Sequence, residues 1–144
     1  MSEAIPIILC GKSPQIATGV KNSLMPEYDV IHIILTPSAG ITEIPSILSG
    51  SDLDSNDNIG SQNYSKPAQA VVTGAGYDEE AVEKMRKACS AKGGSRVPWL
   101  RPDTSIPTPP LGPKYGEAMV RRVKGCLREL EEEGRMEGDG VYFY

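Results

Sequence analysis

The chain has one histidine, one tryptophan and one phenylalanine in 144 residues, and the scarcity of histidine removes whole classes of chemistry. With His32 as the sole imidazole no two-histidine metal site can be built, and a Ser-His-Asp or Cys-His mechanism would have to use it. It lies mid-strand in an apolar run, so a packed, satisfied core histidine is expected. The three cysteines, Cys10, Cys89 and Cys126, are odd in number, lack CxxC spacing and fall in apolar or helical patterns. That excludes a disulfide framework, makes a zinc site unexpected and suggests reduced thiols. Cys10, at a strand end near a helix start, could have a lowered pKa, though core packing is the expectation. The first apolar run is about five residues long with no basic stretch before it, too short for a signal peptide or a membrane span, so a soluble cytoplasmic protein is expected. Positive charge is scarce as well. Fifteen Lys and Arg against 19 Asp and Glu give a net charge of -4 without a basic stripe, which argues against nucleic acid as partner.

Glycine and proline, 15 and 12 residues, are plentiful and imply long connections around a modest core. The length suits one domain spanning 1–144. Ile5 to Cys10 reads as a buried strand. Ser13-Pro14 reads as an N-cap with proline at the first helical position, and Ile16, Val20 and Leu24 give the apolar face of a helix to about Met25. Tyr28 to Thr36 is a second interior strand, and Thr42 to Leu48 is expected to form one or two helical turns limited by Pro45. Residues 49–68, rich in Ser, Asn, Asp and Gly, are expected to be a mobile loop. Gln69 to Thr73 is a third strand, followed by a helix from about Asp78 to Gly93. Val97 to Arg101 is a fourth, and 102–113 is a proline-rich extended loop suited to a flap or a contact surface. A helix from Tyr115 to Glu133 follows, with the acidic run at its end a solvated face, and then the aromatic tail Val141 to Tyr144. Three terminal aromatics should dock, either on the chain's own core or on a second subunit of a homodimer.

Alternating strands and helices predict an α/β three-layer sandwich around a small parallel sheet of about four strands. Ligands of such sheets bind beyond the carboxyl ends of the strands, which directs attention to Gly11–Gln15, Thr36–Gly40, Thr73–Tyr77 and Arg101–Thr104. Arg101 and Asp103 are candidate substrate anchors, with a plain surface pair as the alternative.

The segment IILCGKSPQIATGV followed by DVIHIILT resembles the first half of a Rossmann NAD(P)-binding domain, in particular its compact NmrA-like and short-chain dehydrogenase relatives, over about Ile5 to Gly76. The resemblance implies a pyrophosphate held by amides at the turn after the first strand. Gly11 stands for the first glycine, and Ser13 with Ile16 or Ala17 for the others. Lys12, Ser13, Gln15 and Ile16 then border the phosphate. At the end of the second strand no acid is present, so Lys12 with Thr36 and Ser38 suits the phosphate of NADP better than NAD. Thr73 and Gly74 match the glycine-containing strand end near the adenine. No tyrosine is followed four residues later by lysine, so the family's catalytic pair is absent. The expected function is nucleotide-type ligand binding, NADP before NAD. The alternative is a non-catalytic interaction or regulatory module.

Two motifs fail on spacing. Gly11-Lys12-Ser13 ends like a P-loop, but Pro6 occupies the place of its first glycine. Asp52 to Asn63 is similar to a calcium loop, yet Asp57 replaces its glycine and Asn63 its bidentate glutamate, so no metal is expected.

Overall fold

The structure, a computed structural model, describes residues 4–50 and 58–144, so the first half of the calcium-loop-like segment lies outside the described residues. The elements run β1 (Ile5–Cys10), α1 (Pro14–Leu24), β2 (Tyr28–Ile34), α2 (Pro37–Leu48), β3 (Val71–Thr73), α3 (Glu79–Lys92), β4 (Trp99–Arg101), α4 (Pro113–Glu132) and β5 (Val141–Phe143). All strand pairs are parallel, in the order β2-β1-β3-β4-β5.

Two buried clusters divide the molecule into three layers. Ile7, Leu9, Val30 and Val72 meet Val20 and Leu24 of α1 and Val123 and Leu127 of α4 on one face. Ile8, Cys10, Ile34 and Val71 meet Ile44 of α2 and Val82 and Met85 of α3 on the other. Alternation along each strand supplies both faces, which is why these strands read as unbroken apolar runs. α2 and α3 approach closely because Gly40 has no side chain: a Cβ there would stand 2.2 Å from the sulfur of buried Met85.

Two expectations need correction. The sheet has five strands instead of about four, because Val141–Phe143 pairs with β4 and the tail docks on its own sheet. Helix α2 starts at Pro37, capped by Thr36, whose Oγ1 accepts from the amide of Ala39 at 3.1 Å. Pro45 does not stop it. The carbonyl deprived of a partner belongs to Ile41, an exposed residue, and water can serve it.

Residues 58–68 form the described part of the polar loop. It is fastened to the outer edge of β2. Ser61 and Gln62 donate their amides to Val30 and Ile31, both at 2.9 Å, and the Asn58 side chain pairs with Ile33 through its amide and its carbonyl, both at 2.7 Å. A side-chain amide carries the same donor and acceptor as a peptide, so Asn58 finishes an exposed strand edge as a neighbouring strand would.

Candidate functional site

The sheet order reverses direction between β1 and β3. From β1 the chain leaves through α1 on one face, and from β3 through α3 on the other, so a crevice opens where the two strands end. Gly11–Ser13 and Gly74–Gly76 are its lips. Below them lies a cavity of about 240 Å³ on the α1/α4 side, walled by Leu9 and Val72 of the sheet, Ile16 and Val20 of α1, and Tyr115, Met119 and Val123 of α4, with Leu111 and Tyr144 at its margin.

Local chemistry determines what the lips can bind. The Gly11 amide donates to Ile34 O and the Gly74 amide to Cys10 O, which ties the ends of β1, β2 and β3 together. Pro14 has no N–H, and the amide of Ile16 is taken by the Ser13 hydroxyl at 3.3 Å. The amides of Lys12, Ser13, Ala75 and Gly76 make no hydrogen bond to another described residue. These four donors, two on each lip, are available to a ligand acceptor. The exposed Lys12 arm lies against Gly76 with its ammonium 5.9 Å from the centre of the Tyr77 ring.

Tyr77 braces this end of the sheet from below. It is buried, and its hydroxyl points between the carbonyls of Gly11 at 3.0 Å and Ile34 at 3.1 Å. Burial first, and then the neighbouring Cys10, push its pKa up, so it stays a neutral donor. Tyr77→Phe would leave both carbonyls without that donor in a buried place. It is expected to cost about 1–3 kcal/mol in urea unfolding while leaving the secondary structure intact.

Of the residues picked from the sequence, Gly11, Lys12, Ser13, Ile16 and Gly74 come together at the crevice. Gln15 instead lines a neighbouring groove of about 360 Å³ between α1 and α4, which shares Ile16 and Val20 with the cavity. Thr73 is occupied: its hydroxyl donates to Leu100 O at 2.9 Å and its carbonyl accepts from Tyr144 at 2.8 Å. Thr36 and Ser38 belong to the start of α2, where the Thr36 hydroxyl is the cap. Arg101 and Asp103 lie apart at the end of β4. The Arg101 guanidinium sits 5.5 Å from the Phe143 ring centre, and the Ser105 hydroxyl and amide bond the Asp103 carboxylate, holding its pKa below the ordinary value. Cys10 is fully buried, and its thiol pKa is raised by that burial, so it is a core residue and no nucleophile.

Sequence reasoning missed the α4 wall and Tyr144. The apolar stripe of α4 was visible, but a stripe that meets the sheet and one that stands off from it have the same periodicity.

Among the described residues no group of three or more His, Cys, Asp and Glu gathers as a metal site, and no helix is long and apolar enough to cross a membrane. No family model matches the chain, and no solved structure matches it. It is 34% identical over 142 residues to "Kojic acid related protein 6" of Aspergillus oryzae, an alignment covering 96% of this chain and 86% of that protein. With that identity over nearly its whole length, the chain belongs to the same family as the kojic acid related protein.

Proposed function

We propose that the chain binds a small molecule with an apolar body and one anionic or acceptor head in the β1/β3 crevice. The observation that carries this is the pairing of an apolar cavity with four uncommitted amides and the Lys12 ammonium at its lips. The body fills the space between α1 and α4, and the head takes the amides. At about 240 Å³ the cavity is smaller than the roughly 300–1,000 Å³ of a common drug-sized site, so a compact ligand fits best. A nucleotide, NADP before NAD, would place its phosphate at Gly11–Ser13 and leave much of its length across the strand ends.

Thermal unfolding tests this with NADP, NAD, ATP, kojic acid, suggested by the relative's name, and a set of small aromatic carboxylates. A ligand at 100 times its Kd stabilises by about 2.7 kcal/mol, a shift of several degrees in a domain this size. Lys12→Ala should weaken an anionic ligand about tenfold, or 1.4 kcal/mol, the scale of one charge-assisted hydrogen bond. Absence of a shift with every probe, or equal shifts for an anionic probe in Lys12→Ala, would overturn the crevice reading.

A second reading, a non-catalytic interaction module, rests on the proline-rich loop, where Ile106 is 44% and Leu111 75% exposed. It predicts no shift with any small molecule. Measuring solution mass across a concentration series would then show whether the partner is a second copy.

A further inference from the structure

A second cluster stands on the outer edge of β2, on the far side of β1 from the crevice. It arises from a break in strand alternation. β2 pairs Val30 with Ile7 but His32 with Ile8, so Ile31 is skipped, and the side chains on either side of the irregularity, Ile31 and Ile33, go to opposite faces. His32, only 1% exposed, belongs to neither apolar cluster. Its ring nitrogens meet Glu43 of α2 and Tyr64 of the fastened segment, each at 2.7 Å, and Asn58 Nδ2, which donates to Ile33 O at 2.7 Å, stands farther from Nε2 at 3.3 Å.

A carboxylate only accepts, so Nε2 carries the proton toward Glu43 Oε1, and Nδ1 turns its lone pair to the Tyr64 hydroxyl, which donates. The result is a hydroxyl, a base within hydrogen-bond reach of it, and a third group orienting the base. This is the constellation of general-base nucleophilic catalysis, in which tyrosine is among the competent oxygen nucleophiles. The base is sealed from water, but Tyr64 is 40% exposed and open to an electrophile.

We propose that Tyr64 is an acyl-accepting nucleophile with His32 as its general base and Glu43 as the positioning residue of that base. The Tyr64 oxygen attacks the carbonyl carbon of an activated ester. Its O–C bond forms as the bond to the leaving alkoxide or phenoxide breaks, and the phenolic proton passes to His32 Nδ1. The Glu43 carboxylate steadies the imidazolium, which then gives its proton to the leaving group. Burial, and after it the charge of Glu43, raise the Tyr64 pKa. The resting hydroxyl therefore keeps its proton until the base removes it during attack.

The test is site-resolved acetylation of the full chain by p-nitrophenyl acetate, followed by peptide mass spectrometry. Tyr115 and Tyr142, half-buried and without an imidazole partner, are internal comparators. Tyr64 should be acetylated about a hundredfold faster than either, the low end of what a positioned base contributes. His32→Gln should bring it to the comparators' rate. Glu43→Gln, at a partly exposed position on α2, retains an acceptor for Nε2–H but loses the charge, and should slow Tyr64 about tenfold while leaving the comparators and the melting temperature unchanged. If His32→Gln does not fold, Glu43→Gln decides alone. Acetylation of Tyr64 no faster than that of Tyr115 and Tyr142, or an unaltered Tyr64 rate in a folded Glu43→Gln, would overturn the proposal. Neither outcome bears on ligand binding at the crevice.

Discussion

Replacing Tyr144 by alanine is expected to destabilise the fold by about 3–5 kcal/mol, the range for removing a buried aromatic ring, and to lower the melting temperature by on the order of 10 °C. The ring is buried among the α4 and sheet residues of one core cluster, and its hydroxyl donates to the Thr73 carbonyl, so the residue binds the end of the chain to the end of β3. Its backbone is equally committed. The Tyr144 amide donates to Arg101 O at 2.8 Å, its carbonyl oxygen accepts from the Asp103 amide at 2.7 Å, and Arg122 Nη2 reaches that oxygen at 2.6 Å and Asp103 O at 3.0 Å. These backbone bonds do not need the ring, which is why the effect should stop at a cavity cost and not unfold the sheet edge. Tyr144→Phe separates the two contributions, since it keeps the packing and strands only the Thr73 carbonyl, for about 1–3 kcal/mol. Because Tyr144 borders the crevice, the alanine variant should also accept a bulkier ligand than the native chain. A loss below about 1 kcal/mol in urea unfolding would mean that the tail is not held as described.

The tail also shows where sequence reasoning has to stop. That the aromatic tail should dock follows from the cost of leaving aromatic surface in water, and Tyr144 is buried while Phe143 stays 58% exposed, but that cost is the same whichever surface is covered. The decision comes from backbone geometry: β4 presents an open edge, and Val141 to Phe143 fills it in parallel register with Trp99 to Arg101. Short-range patterns were more legible. Ser13 and Asp78 are N-caps in the structure as their residue types suggest, with side chains accepting from Ile16 and Ala81, and Gly93 closes α3 in the left-handed conformation at φ 78°. These signals are local, so no knowledge of the fold is needed to read them.

The crevice was half legible for the same reason. Its lips are turns directly after strands, and turns are visible as Gly11 and Gly74. Its walls are not, since Met119 and Val123 reach the site only through the packing of a helix more than a hundred residues along the chain. Assigning Thr36 to a phosphate, as the dinucleotide resemblance implies, overlooked a competing use. A threonine just before a proline that opens a helix has the helix's own amide to satisfy, and here it bonds Ala39.

The cluster at His32 was misjudged by degree. The expectation of a satisfied histidine holds, but one of its partners, Tyr64, comes from a segment whose composition is poor in apolar residues, and Gly60 is the reason that segment can close on the strand. A Cβ at Gly60 would stand 2.7 Å from the Ile31 carbonyl carbon and oxygen and from the His32 nitrogen, all backbone atoms that cannot turn aside. Gly60→Ala must therefore push the segment off β2. The bonds at risk are those from Ser61 and Gln62 to the strand, the Asn58 pairing with Ile33, and the 2.7 Å contact of Tyr64 with His32. The expected cost is about 1–3 kcal/mol, in the range for overpacking at a site without room, because the rest of the sheet does not depend on this edge. Hydrogen exchange checks it at the residues concerned: the Ile33, Ser61 and Gln62 amides should lose protection together, while Ile8 and Val71 in the centre of the sheet keep theirs. Serine-to-alanine at position 61 is the matched control, since it removes a side chain and leaves the backbone bond. Unchanged protection of the Ile33 amide in Gly60→Ala would show that the edge is held by something other than this close approach. Loss of that protection together with the fast acetylation of Tyr64 would show that glycine at position 60 brings the base and the hydroxyl together.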